Sequence, residues 1–440
     1  MVATATLSPN NEIKLGQRIA VIGSGIAGMT AAHYLSRAHQ VTLFESAQRF
    51  GGHTATQAVP WQGVEYAVDM GFIVYNDWTY PNFIRLLNEL NVASQPAAMG
   101  FSVTEGEGAY EYAGANLNTL FAQRRNLFKP SHWNMLFDIL RFNREATASF
   151  LAGELSEQES LKAYLIRNKF SAAFIKNYLA PMGSAIWSSS TEEVLEFSVY
   201  FFVRFFHNHG LLSVKQRPQW RVLKGGSSSY IKPLLAPVAN RISGTPVSRV
   251  ERTQKAVSVY FGVEHQEFDQ VIFACHSDEA LNLLADANSA EREILSAITY
   301  RPNRVTLHRD ISVLPKRRLA WSSWNYLLQK NIGNQPPLLT YNMNILQNIN
   351  APITFCVTLN DRGKIKPELI FQDLTFSHPV FSATATQAQG RWAQINGVNK
   401  TWFAGAYWFN GFHEDGVVSA LGVVNALGID IPVLKNNRPV

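Results

Sequence analysis

The sequence predicts an α/β protein of two domains, the first of them discontinuous: it opens the chain, is interrupted by an α+β domain, and is completed by the last elements. Three observations carry this. Residues Arg18 to Glu45 read strand, glycine turn, helix, strand, one βαβ unit of ordinary length. The stretch Leu117–Ser213 is helical in pattern and rich in Phe, Tyr, Trp and Leu, and strand signals return after it. The chain then closes on a strand, a loop and a helix over Thr401–Leu427. A length of 440 residues is also too great for a single core.

The elements follow in order. Residues 1–16 read as a loose tail. Arg18–Ile22 is an apolar strand, Gly23–Gly28 a turn, Met29–Ala38 a helix and Gln40–Glu45 the second strand. Pro81–Asn91 places Phe83, Leu86, Leu87 and Leu90 at helical spacing. A further helix is expected over Tyr230–Ala239. Val247–Val250, Ala256–Phe261, Val271–Ala274, Arg304–Arg309 and Thr354–Leu359 are β-rich, and Asp415–Leu427 is the last helix. The expected boundaries put 17–75, about 215–275 and 395–440 in the first domain. The second, with a helical subdomain, takes about 76–214 and 276–394.

Composition narrows the function. Apolar residues make up 46% and charged residues 16%, which excludes a disordered chain. A net charge of +6 is small for this length and leaves an anionic substrate, a membrane surface or neither open. No basic run with interleaved aromatics points to nucleic acid. Two cysteines, Cys275 and Cys356, give neither a disulfide framework nor metal-ligand spacing, and suit a reducing compartment. No apolar run reaches the ~18–20 residues of a spanning helix. The expectation is a cytoplasmic protein, with peripheral contact at the inner face of the membrane left open.

Gly23-Ser24-Gly25-Ile26-Ala27-Gly28 matches G-x-G-x-x-G, after an apolar strand and at the start of a helix, with Glu45 ending the next strand. That context makes it a Rossmann-like dinucleotide site. Gly23 permits the tight turn, Gly25 lets backbone approach a pyrophosphate, and Gly28 lets helix and strand pack closely. The helix start, with Ile26 and Ala27, offers free N–H groups to phosphate. Glu45 accepts from ribose hydroxyls. The motif alone does not separate NAD from FAD.

Arg49-Phe50-Gly51-Gly52-His53 follows directly. With it, the run from Ile19 to Gly52 resembles the start of the amine oxidase and phytoene desaturase superfamily of FAD enzymes. The resemblance implies FAD as cofactor and a two-domain fold of the GR2 type. Arg49 would neutralise phosphate, and Gly51, Gly52 and His53 would lie along the cofactor. Asp69-Met70-Gly71-Phe72 is similar to the segment that passes the flavin there, which implicates Met70 and Gly71. Val247 lies on a strand like the one that meets adenine. Ala404-Gly405 and Gly411–Gly416 resemble the closing motif, in which a helix beginning near Gly416 points at the flavin. The resemblance thus adds Gly405, Glu414, Asp415, Gly416 and Val417 to the cofactor set. Ala406 stands where many members carry an acid. The strings Pro181–Ser188, Arg217–Trp220, Ala320–Tyr326, Thr340–Asn344 and Gly411–Gly416 are similar to a bacterial subgroup labelled as predicted NAD/FAD-binding proteins, relatives of which are fused to or encoded beside cyclopropane fatty acid synthases.

The strand carrying the flavin-side lysine of amine oxidases corresponds to Asn303–His308, which has no lysine. His308 and His413 are the candidate catalytic residues, since histidine carries a proton near neutral pH. Trp187, Trp321, Trp324, Tyr326 and Tyr341 are expected either to line a substrate cavity or to pack between domains. The aromatic run Phe197–Phe206 reads either as core or as an apolar entrance for lipid. Three functions stay open: an FAD-dependent oxidoreductase that desaturates, oxidises or isomerises a fatty acyl or isoprenoid chain, passing electrons to an unspecified acceptor; a flavin-containing amine oxidase; and a non-catalytic flavin-binding protein.

Overall fold

The computed structural model describes residues 15–214, 217–329 and 338–436. Most of the expected N-terminal tail therefore lies outside the described residues.

A five-stranded sheet gathers strands from both ends of the chain, in the order Asn240–Ser243, Gln40–Glu45, Arg18–Ile22, Gln270–Phe273, Thr401–Phe403. Every pairing is parallel. Such strands are covered on both faces, which is why Arg18–Ile22 and Gln40–Glu45 read as continuous apolar runs. Helix Ile26–Leu35 and the last helix, His413–Ala426, pack side by side on this sheet. Val247–Arg252, Val257–Phe261 and Glu264–Phe268 form an antiparallel sheet beside it.

The second domain is built on a seven-stranded sheet. Its order is Ile370–Pro379, Tyr300–His308, Cys356–Leu359, Leu338–Asn342, Trp324–Leu328, Phe101–Glu105, Tyr110–Ala113. Helices Pro130–Leu151, Leu161–Arg167, Ala180–Trp187 and Val199–Asn208 make up the helical part.

Three expectations change, and one open alternative is decided. The helix after the glycine turn starts at Ile26, so Ile26 and Ala27 occupy its first turn. The helix expected over Tyr230–Ala239 is confined to Ile231–Leu235. The last helix starts at His413, ahead of Gly416, because Asp415 accepts from the Phe412 N–H at 2.8 Å and caps it there. The aromatic run is core: Phe201, Phe202, Phe205 and Phe206 are buried in one cluster with Trp187. No helix among the described residues is long and apolar enough to cross a membrane.

Candidate active site

The first βαβ unit builds a cradle of backbone. Gly23 has φ +102°, and an added Cβ would stand 2.8 Å from the Ala274 backbone. A Cβ on Gly28 would collide with the Gly23 carbonyl, so helix and strand meet there as closely as the spacing implied. At Gly25 an added Cβ meets no protein atom within 4 Å. It faces open space at the N-terminus of helix Ile26–Leu35, whose first turn holds no acid. Unpaired N–H groups and the helix dipole converge there.

Glu45 closes one side. Its Oε2 accepts from Ser24 N at 3.0 Å and Ser24 Oγ at 2.5 Å, and its Oε1 from Ala47 N at 2.8 Å. Arg49 closes the other, donating to the carbonyls of Thr54 and Gly52 at 2.9 Å each. Burial lowers the Arg49 pKa and Glu45 opposes the shift, yet among the described residues no carboxylate lies within ion-pairing distance. Gly51 donates to the Ser24 carbonyl at 3.1 Å, which fastens the paired glycines to the first turn. A Cβ on Gly52 would stand 2.9 Å from Gly25 Cα.

This cradle is one end of a cavity of about 1250 Å³. Gly23, Gly25, Ile26, Ala27, Glu45, Arg49, Gly52, His53, Met70, Gly71, Val247, Gly405 and His413 all line it. Gly28 and Gly51 do not, and act through packing. The other end is walled by Phe101, Tyr112, Tyr178, Met182, Trp187, Trp220, Trp324, Tyr341 and Phe376. Trp321 and Tyr326 stay outside it: Trp321 Nε1 donates to Pro315 O at 2.7 Å, and Tyr326 is core with its hydroxyl toward Ser184. Phe205 is the member of the buried aromatic run that reaches the cavity wall.

Five site expectations need correction. His308 does not line the cavity. It sits within the sheet, Nε2 at 2.7 Å from Thr358 Oγ1 and Nδ1 accepting from Asp310 N at 3.1 Å, and burial lowers its pKa to about 4. Glu414 points away to cap another helix, Pro81–Glu89. Its carboxylate accepts from Asn82 N at 3.0 Å, Asn82 Nδ2 at 2.6 Å and Phe83 N at 2.8 Å. Asp415 caps its own helix, accepting from Phe412 N and Asn410 N. Gly416 is a packing glycine: a Cβ there would stand 2.7 Å from Ile26 Cγ2. Val417 is core.

His413 does face the cavity. Its ring stacks on Phe72 with centroids 3.5 Å apart, and Nε2 lies 3.1 Å from Thr54 Oγ1 and 3.2 Å from Tyr230 OH. Burial lowers its pKa to about 3, so the ring is neutral.

The sequence missed a histidine cluster. His53 lies 6.1 Å from His276 and 5.3 Å from His378, between ring centroids, and all three line the cavity. Asn303 orients His378. Its amide nitrogen donates to Arg301 O at 3.2 Å, and its oxygen accepts from Asn360 at 2.9 Å, so the same nitrogen donates to His378 Nδ1 at 3.0 Å. His378 is left with its proton on Nε2. His53 interacts with the Ser377 carbonyl, its Nε2 is buried without a partner, and burial lowers its pKa well below the usual histidine range. His276 was findable: it follows strand Gln270–Phe273, at the carboxyl edge where ligands of open α/β sheets bind. His378 offered no local signal.

The donor set fits FAD. Open space at Gly25 suits a pyrophosphate, Arg49 is a cation there with no ion pair among the described residues, the Glu45 carboxylate could accept from a ribose, and the buried His53 Nε2 has no partner among the described residues. A dinucleotide cradle and an aromatic chamber sharing one cavity define a two-domain flavin-dependent oxidoreductase. The chain belongs to the flavin containing amine oxidoreductase family, whose model matches residues 26–307. FAD is the cofactor. The chain is 27% identical over 262 residues to the L-amino acid dehydrogenase of Synechocystis sp., covering 54% of this chain and 51% of that one. It thus spans about half the length of that relative. The fold is shared with the CLA-producing fatty acid isomerase from P. acnes (TM-score 0.63, 14% identity, covering 94% of this chain and 98% of that one). It is shared equally with the cyclohexylamine oxidase from Brevibacterium oxydans (TM-score 0.64, 15% identity, covering 94% and 98%).

Proposed function

We propose that the protein oxidises, desaturates or isomerises a long apolar substrate, a fatty acyl or isoprenoid chain, held in the chamber beside the flavin. The observation that carries this is the charge pattern of the cavity. Its charged lining groups among the described residues are Glu45, Arg49, Arg217 and Glu279. Glu45 and Arg49 flank the glycine cradle, and Glu279 lies on helix Ser277–Leu283, directly after strand Gln270–Phe273 of the parallel sheet. Away from the cradle and that helix, the chamber presents mainly aromatic and aliphatic walls among the described residues, and the charged group among them is Arg217. An ammonium group would enter it with no carboxylate to meet; a hydrocarbon tail with an anionic head finds both its needs.

In this reading Gly23, Gly25, Ile26 and Ala27 hold the pyrophosphate with Arg49. Glu45 takes the ribose, Val247 lies by the adenine, and Gly52, His53, Met70, Gly71 and Gly405 line the remaining path. The bound flavin supplies a hydride acceptor at N5. The chain's own work is to exclude water, align the hydrocarbon and hold protons: His53 offers an acceptor at Nε2 and His378 a donor at Nε2. His413, neutral and stacked on Phe72, fixes the wall through Thr54 and Tyr230. The resemblance to proteins linked with cyclopropane fatty acid synthases supports the lipid class.

A second reading, oxidation of an amine or amino acid, is supported by the similarity to the L-amino acid dehydrogenase. Anaerobic mixing separates the two. Fatty acyl lipids are expected to bleach the flavin's visible absorbance, or to be recovered with a moved double bond. Bleaching by amines or L-amino acids, with every lipid recovered unchanged and unable to bleach, overturns the lipid reading.

A further inference from the structure

Among the described residues, every exposed Phe and Trp falls in one short stretch: Phe128, Trp133 and Phe137. Phe128 is 87% exposed and Phe137 63%. Trp133, Phe137 and Leu140 lie on one face of helix Pro130–Leu151, while Met135, Phe142 and Ala146 bury the other. Leu117, 75% exposed, and Leu127 are exposed in the segment that leads into this helix. The rings are contiguous: Phe121, Trp133 and Phe137 follow one another with centroids 5.2 and 6.1 Å apart. Trp133 is held by its Nε1, which donates to Leu127 O at 2.9 Å.

Along the sequence the charge on this stretch is one-signed, and the adjoining hairpin brings Glu105 and Glu107 already paired with Lys176 and Lys316. From Ala113 to Phe137 there is no Asp or Glu, and there are three cations, Arg124, Arg125 and Lys129. Arg124 donates to Phe121 O at 2.9 Å and Asn118 Oδ1 at 2.6 Å, which holds it without neutralising it. At the head of the stretch, Gly114 and Ala115 are exposed and line the cavity.

We infer that this face docks on a bilayer carrying anionic headgroups, and that the substrate chamber opens onto it. Exposed aromatics next to cations that make no ion pair are the composition of an interfacial surface, where rings enter the headgroup region and cations meet phosphate. A second copy of the chain is a poorer occupant, because a twofold contact would set two identical basic patches against each other. The docking stands on the surface alone; that the chamber then draws its substrate from the bilayer rests on the lipid reading above.

The test is sedimentation of the full-length, FAD-loaded protein with phosphatidylcholine vesicles, with and without phosphatidylglycerol. The protein is expected to pellet with phosphatidylglycerol vesicles and to be released by high salt. Arg124→Gln/Arg125→Gln is expected to bind about 25-fold more weakly, about fivefold per cation. Phe128→Ser/Phe137→Ser is expected to stay in solution, each variant keeping its flavin. Wild type that ignores phosphatidylglycerol, or binding that survives both double substitutions, overturns the inference. So does a dimer that Phe128→Ser/Phe137→Ser dissolves, which assigns the face to a second copy. Flavin reduction by detergent-dispersed lipid, measured on the same samples, tells a failure of docking from a failure of the lipid reading.

Discussion

Gly25→Val separates the cofactor from the fold. The other two motif glycines cannot do this: a side chain at Gly23 or Gly28 would strike backbone and disturb the first βαβ unit itself. Gly25 is extended (φ −63°, ψ 176°), which any residue adopts, and its Cβ direction is free of protein atoms to 4 Å. The fold should lose only the difference between glycine and valine at a helix N-cap, about 1 kcal/mol. The cofactor loses far more, because the valine methyls occupy the approach of its pyrophosphate. Two broken charge-assisted hydrogen bonds at ~1.5–3 kcal/mol each amount to ~3–6 kcal/mol. That is about 10²–10⁴-fold in Kd. Circular dichroism reports the fold, and flavin absorbance after gel filtration reports FAD per chain. A folded variant that keeps its full flavin complement would refute the placement of the phosphates.

Three further outcomes follow from the geometry. Glu414→Ala should cost about 3 kcal/mol in denaturant unfolding, since it uncaps helix Pro81–Glu89 and strands three donors, while FAD affinity stays within about twofold; a loss of FAD without a loss of stability would return Glu414 to the cofactor. His308→Gln should lower Tm but leave the rate of flavin reduction within about twofold, because the ring serves Thr358 and Asp310 inside the sheet; a rate fallen by orders of magnitude would make it catalytic after all. His413 has its folded pKa lowered to about 3 from 6.5. The stability it contributes is therefore full above about pH 6.5 and is lost as pH falls toward 3. Relative to His413→Gln, the wild type should lose about 1.4 kcal/mol per pH unit across that window; parallel pH–stability curves would contradict it.

What the sequence revealed, and what it withheld, divides by distance along the chain. The cradle was legible because its logic is local: Gly23, Gly25, Gly28 and Glu45 act within one βαβ unit, and Arg49 to His53 follow within a turn. The last helix was legible as an element, but not its start or its partners. Glu414 reads as a flavin-facing acid until the fold brings it to Asn82 and Phe83, more than 300 residues away. His378 reads as an ordinary strand residue in Ile370–Pro379, and joins His53 only because that strand edges the second sheet. The run Phe197–Phe206 carried two meanings that composition could not separate, and burial against Trp187 chose the core. Alternation puts His308 on the strand face of Arg304 and Thr306, opposite the cavity-lining Val305, and the sequence does not say which face the cavity occupies.

In the proposed function an apolar chamber with Arg217 at its wall receives a hydrocarbon chain beside the flavin. Titrating the flavin spectrum with saturated fatty acids of increasing length tests it directly. Each methylene buried contributes about 0.8 kcal/mol, so Kd should tighten about fourfold per carbon until the chamber is filled. Arg217→Gln should weaken every member of the series by one common factor. A Kd indifferent to chain length, or tighter binding of primary amines than of carboxylates of equal length, would contradict the account.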